Sequence, residues 1–187
     1  MASFGAKFPN FSPIKGEPEN ELPTYSGATV LGRLIKADLS VTLASGKLFA
    51  DDGMAESVDE FSSATITMET DDMTDDVASA VYGCEVKEKE AHYKAGDTAP
   101  LGGLTYYKVL MRKGTKIFKG YFYPRVKAAL GNDTAQTKAD SITFGTNTTT
   151  FSVFKCNTDD WRVTKEFETE AEARTWVQEK LAATAGS

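Results

Sequence analysis

Histidine is nearly absent from this chain, cysteine is scarce and no long apolar run occurs, and each shortage removes a class of function. The one histidine among 187 residues, His92, stands in the polar segment 87–94 with no nucleophile beside it. Neither a Ser-His-Asp nor a Cys-His mechanism can be assembled around it, and the chain reads as non-enzymatic. Two cysteines, Cys84 and Cys156, are too few for a disulfide framework or a four-ligand zinc site. Free cysteine is usually buried, so both are expected as reduced core thiols. No stretch nears the roughly 20 apolar residues of a bilayer span. The opening MASFGAKFPNF lacks the apolar centre of a secretory signal, so a protein kept in a cytosolic setting is expected. Phosphate loops are missing as well: GCEVKEK and PLGGLTYY have neither the Walker nor the GxGxxG spacing, and Gly102 with Gly103 reads as a turn. No cofactor or metal is called for.

Positive charge is also in short supply. There are 21 Lys and Arg against 27 Asp and Glu, a net charge of -6, which argues against a nonspecific nucleic-acid clamp. Residues 48–86 contain no Lys or Arg, whereas Lys108, Arg112, Lys113, Lys116, Lys119, Arg125 and Lys127 crowd a later stretch. A molecule with one acidic and one basic region can join copies of itself head to tail. The carboxylates at Asp51, Asp52 and Glu56, and at Asp71, Asp72, Asp75 and Asp76, do not follow the EF-hand spacing, so solvated faces and helix caps are the simpler reading. A glycosidase pair would need two carboxylates at fixed separation across a cleft, which nothing here implies.

What is present is an ordinary globular composition, 41% hydrophobic and 26% charged, at a length suited to one principal core. Residues 1–24 hold four of the six prolines together with Phe4, Phe8 and Phe11. That density opposes a helix or central strand, while three aromatics are costly to leave in water, so an extended arm docked on another surface is expected. Leu39, Val41 and Leu43 alternate with polar residues, as do Ala64, Ile66 and Met68, which predicts two half-buried antiparallel strands. Ser45 and Gly46 supply a turn between the first of these and a short extended run at 47–50, ahead of a polar loop at 51–56. A short helix over 73–82 follows, with Asp71 or Asp72 as cap and Gly83 as stop.

Residues 104–125 read as a hairpin turning near Lys113 and Gly114. Both of its faces are apolar, with Tyr107, Val109 and Phe118 on some positions and Tyr106 and Tyr121 on others, so something must cover the second face. The cover is either a helix of the same chain or a neighbouring subunit. Residues 141–144 suggest a short strand in a loop-like stretch, and a strand over 151–156 is expected to pair with 161–167. A C-terminal helix follows, with Thr169 and Glu172 at capping-box spacing and Ala173, Trp176, Val177 and Leu181 on one stripe. The class is mainly β, within α+β: a β-sandwich of antiparallel sheets with a short flanking helix and a C-terminal helix.

The run KLFADDGMAES, the strand SSATITME, the helix DDMTDDVASAVYG, the aromatic strand LTYYKVLMRKGTK and its continuation KIFKGYFYPRVKAA resemble, in that order, the major tail protein of long-tailed phages with flexible, non-contractile (siphovirus-type) tails. The match spans about residues 27–156, and ADDG-x-AES is its most specific part; Met54 stands where the family usually has proline. The resemblance implies a structural virion protein of the tail-tube fold that closes as hexameric rings stacked into a tube, the conduit for genome DNA. It is assembled in the host cytoplasm with tape measure, terminator or distal tail proteins as partners, and with no membrane or sequence-specific DNA contact. It divides the chain into an arm at 1–24, a β-sandwich domain at 25–168 and a C-terminal helix and tail at 169–187.

Further implied are an inter-ring stacking loop at 48–59 carrying Asp51, Asp52, Gly53 and Glu56, and arm anchors at Phe4, Phe8 and Phe11. Asp59, Glu60 and Glu69 become candidate charges of an acidic lumen that repels phosphate. Tyr107, Val109, Phe118 and Tyr121 become a hairpin covered by the adjoining subunit. Two alternatives remain: a tube subunit of a phage-derived particle such as a bacteriocin, gene-transfer particle or secretion system, and a β-sandwich ligand- or carbohydrate-binding module using Tyr106, Tyr121 and Trp161 as a stacking platform.

Overall fold

The computed structural model describes residues 2–50, 53–130 and 146–182, with side chains described for 5–46, 58–130 and 146–182. The expected strand at 141–144, Asp51 and Asp52, and the side chains of Phe4 and Glu56 lie outside what is described. The elements, in chain order, are β1 (Ala2–Gly16), β2 (Thr24–Tyr25), β3 (Thr29–Val30), β4 (Leu34–Ala50), β5 (Gly53–Thr70), α1 (Asp75–Tyr82), β6 (Glu85–Lys87), β7 (Glu90–His92), β8 (Leu101–Arg112), β9 (Thr115–Ala129), β10 (Asn147–Phe154), β11 (Val163–Phe167) and α2 (Glu170–Glu179). The protein is mainly β, and every strand pairing is antiparallel.

One sheet dominates, in the order β2-β1-β8-β9-β10-β5-β4, with β3 on β1 and β11 on β9. It curls until β4 lies against β1, a sandwich-like arrangement around a single core. Tyr106 and Tyr123 of β8 and β9, Ile66 of β5, Phe151 of β10, Phe11 of β1 and Val81 of α1 all pack there with at most 1% of their surface exposed. The β8–β9 turn falls where the sequence places it: Lys113 and Gly114 have φ of 49° and 83°, the left-handed pair that a two-residue hairpin turn requires. Cys84 and Cys156 are free and buried.

The first sixteen residues correct the sequence reading. Rather than an arm that docks elsewhere, β1 pairs with β8 from Ala2 to Pro13. Its prolines fit because their amide edges turn away from β8: the Pro9 carbonyl accepts from Leu31 N at 2.9 Å and the Pro13 carbonyl from Ser26 N at 3.1 Å. Irregularities at Gly5 and Phe8, with φ of 73° and 58°, absorb the register shifts. Phe11 is fully buried in this chain's own core, and Phe8 lies beside the C-terminal helix with the Arg174 guanidinium 4.3 Å from its ring centre. Neither is free to anchor an arm on a neighbour.

A second correction concerns what covers the aromatic hairpin. Its second face is roofed by α2: Tyr107, Val109 and Phe118 are buried against Ala173 and Val177. Thr105 Oγ1 donates to the Val177 carbonyl at 3.0 Å. Gly103 and Gly120 allow this approach, since a Cβ on them would lie 2.6 Å from Leu181 and 2.7 Å from Trp176. Gly102 and Gly103 therefore sit inside a strand as contact glycines and not in a turn. Tyr107, Val109 and Phe118 are intramolecular core, not a subunit interface, and Tyr121 stacks on Tyr106 at 5.1 Å. Thr169 caps α2 as the spacing predicts, its Oγ1 accepting from Glu172 N at 3.3 Å and donating to Glu172 Oε2 at 2.9 Å. At α1 the N-cap is Thr74, while Asp71 accepts from Arg33 N and Asp72 from Met73 N, so neither aspartate caps. The expected pairing of the strand after residue 150 with 161–167 is also replaced: β10 pairs with β5 and β9, and β11 with β9.

The helix is pinned at one end by charge. Tyr107 Oη donates to Glu170 Oε1 at 2.7 Å and Lys7 Nζ approaches the same oxygen at 3.0 Å. Both hold the Glu170 carboxyl below its ordinary range, the tyrosine most strongly. A depressed carboxyl contributes stability that is present above its unfolded pKa and is lost as pH falls through the folded one. Lowering the pH below about 4.5, the carboxyl's unperturbed value, is therefore expected to loosen α2 before the sheet melts. Trp176 fluorescence followed against pH reads this, and Tyr107→Phe is expected to shift the transition to higher pH. An identical transition in that variant would remove Glu170 as its cause.

Candidate functional site

Among the described residues, the far part of β4 and β5 stands without an intramolecular role. Paired strands at 34–41 and 64–70 build the core wall, with Ala64, Ile66 and Met68 inward. Beyond Leu43, which pairs with Phe61, the two strands leave the body and continue as a two-stranded ribbon to residues 50 and 53. At 3.3 Å per residue that projection is about 20–25 Å long. Every described side chain of 40–46 and 58–60 is exposed, on both faces. The strand passes through Ser45 and Gly46 without turning, and its pairing with β5 continues to Ala50 opposite Gly53. Val41 and Leu43, expected in the core, are 41% and 55% exposed, and Val58 is 54% exposed.

Phe61 is where the ribbon meets the body. Its ring stacks on Trp161 at 4.6 Å and 11°, and the Arg162 guanidinium stands 4.7 Å from the same indole. A free two-stranded ribbon is marginal in water, because each strand has one pairing partner and no covered face. Long apolar edges of this kind also attract other strands.

The candidate lumen charges separate on the structure. The shift in register between Thr42 and Leu43 makes Phe61 continue the core face, so Glu60 and Glu69 share the outer face and Asp59 lies on the other. That outer face is rich in hydroxyls. Ser40, Thr65 and Ser152 form one cross-strand row, and Thr67 with Thr150 part of the next. Glu69 accepts from Thr146 Oγ1 at 2.6 Å and lies opposite Lys36, which is itself paired with Asp38. Gly53 lies at the ribbon tip, and Asp51, Asp52 and Glu56 have no described side chains.

Two other places invite a functional reading. Where β4 begins beside β1, the curled sheet leaves a groove of about 760 Å³ walled by Phe8, Leu31, Leu34, Arg33, Asp71 and Arg174. Its charges are largely engaged, Lys7 with Glu170 and Arg33 with Asp71 at 3.8 Å. The sugar platform loses one member: Tyr106 is 1% exposed between Tyr121 and Tyr123, while Trp161, partly exposed, stacks on Phe61 and lies beside Arg162. His92 is half-exposed, 3.7 Å from Glu90. Among the described residues no three His, Cys, Asp or Glu side chains gather as a metal site, and no helix is long and apolar enough to cross a membrane.

The sequence missed the ribbon as an element because its apolar alternation continues unbroken from the part that is buried. The partial signal was the acidic run without Lys or Arg over 48–86, which covers the ribbon beyond Lys47 but also continues through the buried part of β5 and α1. A scan against protein-family models returns no match for this chain, and a search of curated proteins returns none.

Proposed function

We propose that this chain is a non-catalytic, self-assembling tube subunit, the major tail protein of a siphovirus-type particle, in which hexameric rings stack into a conduit for DNA. One observation carries the reading: a two-stranded ribbon of some 20 Å runs out beyond Leu43 and Phe61, its described side chains, Val58 among them, are exposed on both faces, Val41 and Leu43 stand exposed at its base, and nothing among the described residues covers it. Such a surface is completed by other molecules, and sister copies are the simplest source. The resemblance over 27–156 supplies the same element as the segment that joins rings.

The aromatic hairpin lends no support, being roofed by α2. The outer face of β4, β5 and β10 supports the conduit reading. It offers phosphate a field of hydroxyls with Glu60 and Glu69 and few unpaired cations, so DNA passing over it meets no long-lived ionic contact. Tubes of a phage-derived particle would use the same surfaces.

Sedimentation and electron microscopy of the concentrated chain test this. Rings or hollow tubes are the expected result. A monomer at every concentration, both alone and with the remaining tail proteins of its particle, would contradict it.

A further inference from the structure

The groove beside β1 and the far end of the ribbon lie at opposite ends of one strand pair. β4 begins and β5 ends at the groove, Leu34 opposite Thr70, and Leu34, Asp71 and Asp72 are among its walls. At the other end Ala50 pairs with Gly53. The strand between them, Leu34 to Ala50, is about 50 Å long. When copies stack in one direction, whatever projects from one end of a subunit meets the opposite end of the next. Contact from ring to ring therefore brings the ribbon's far end toward the groove.

The groove suits that visitor in two respects. Phe8, Leu31, Leu34 and Val77 give it an apolar lining, and Val30, also in the lining, is 43% exposed. The sequence of the ribbon's far end includes Leu48, Phe49 and Met54. The groove's accessible charge is cationic. The Arg33 side chain is 93% exposed and approaches Asp71 only to 3.8 Å, a contact worth little in water. Arg174 is exposed over the Phe8 ring and forms no ion pair among the described residues. The acids are each answered within the chain: Asp71 accepts from Arg33 N at 2.7 Å, Asp72 from Met73 N at 2.8 Å, and Glu170 from Tyr107 and Lys7. Asp75 and Asp76, in the first turn of α1, oppose the positive end of its dipole. Residues 48–60, by contrast, hold Asp51, Asp52, Glu56, Asp59 and Glu60 with no Lys or Arg.

We infer that the far end of the ribbon seats in this groove on a subunit of the next ring, its carboxylates meeting Arg33 and Arg174. The inference rests on the tube reading and names the surface that receives the ribbon. A head-to-tail contact of this kind does not close, so it repeats along the whole tube. The axial repeat is then at most about 50 Å, the length of the strand that spans it.

Cross-linking locates the contact. A chain with Gly53→Cys and Arg33→Cys, its own Cys84 and Cys156 being buried, is assembled and treated with a mild oxidant. A ladder of covalent multimers running past the hexamer is expected, because ring closure does not stop a bond between rings. A ladder that ends at the hexamer would place the ribbon on a neighbour in the same ring. That result, tubes with no ladder, or an axial repeat well above 50 Å would each overturn the inference and leave the tube reading standing.

Charge exchange is the second arm. Arg33→Glu with Arg174→Glu, and separately Asp51→Lys with Asp52→Lys, should each raise the concentration needed for assembly about tenfold, like charges now facing each other. The chain carrying all four should assemble as the parent does, and monomer melting curves that match the parent's are the expected control. Unhindered assembly of either pair overturns the inference. So does an Asp51→Lys, Asp52→Lys chain that assembles better than the parent, since the groove's acids would then govern the contact. A parent that never forms rings or tubes, alone or with the other tail proteins of its particle, removes the tube reading and this inference together.

Discussion

A chain in which residues 44–60 are replaced by Asn-Gly should fold as the parent does and fail to polymerise. Leu43 and Phe61 are already paired, so a two-residue turn with left-handed backbone closes the shortened hairpin without moving either. The excised segment contributes no described side chain to the core, and Phe61 keeps its stack on Trp161. The melting temperature is therefore expected to stay within about 4 °C, the shift of roughly 1 kcal/mol in a chain of this size. Assembly is expected to vanish, because the excision removes the whole projecting ribbon, about 20 Å of paired strands per subunit. Light scattering at matched concentration separates the outcomes. A shortened chain that still forms tubes would make the ribbon an ornament, and one that unfolds would make it part of the body.

The second large effect lies at Phe11. A disposable arm predicts that Phe11→Ala weakens assembly and leaves the monomer intact, whereas the observed packing predicts the reverse. The ring is wholly buried, 5.8 Å from Phe151, in the cluster that holds Tyr106 and Met68. Truncating a buried phenylalanine costs about 3–5 kcal/mol from lost transfer energy and the cavity left behind. For a domain of this length that is a fall in melting temperature of roughly 10 °C. Removing residues 2–16 should be worse, since it strips the pairing edge of β8 from Gly102 to Met111. Thermal unfolding of the monomer measures both; a truncated chain that melts like the parent would restore the arm.

The parts of the fold legible in the sequence are those set by neighbours along the chain. The Lys113–Gly114 turn, α1 and α2 follow from local backbone preference and apolar spacing, and the structure has all three. What escaped reading depends on distant contacts. The stripe of Ala173, Val177 and Leu181 and the doubly apolar face of β8 and β9 were each visible, but their mutual fit is a tertiary fact. The prolines of β1 argued against a strand only for a chain whose amides all face a ladder, and Pro9 and Pro13 face short outer segments instead. Val41 and Leu43 have the pattern of a core strand because alternation records which side a residue takes, not where the body ends.

The account stands on the ribbon being an unfinished surface that sister chains complete. Amide hydrogen exchange across residues 41–60, measured on monomer and on assembled material, addresses this directly. Fast exchange in the monomer and protection in the assembly is the predicted result. Equal exchange in both states would contradict it.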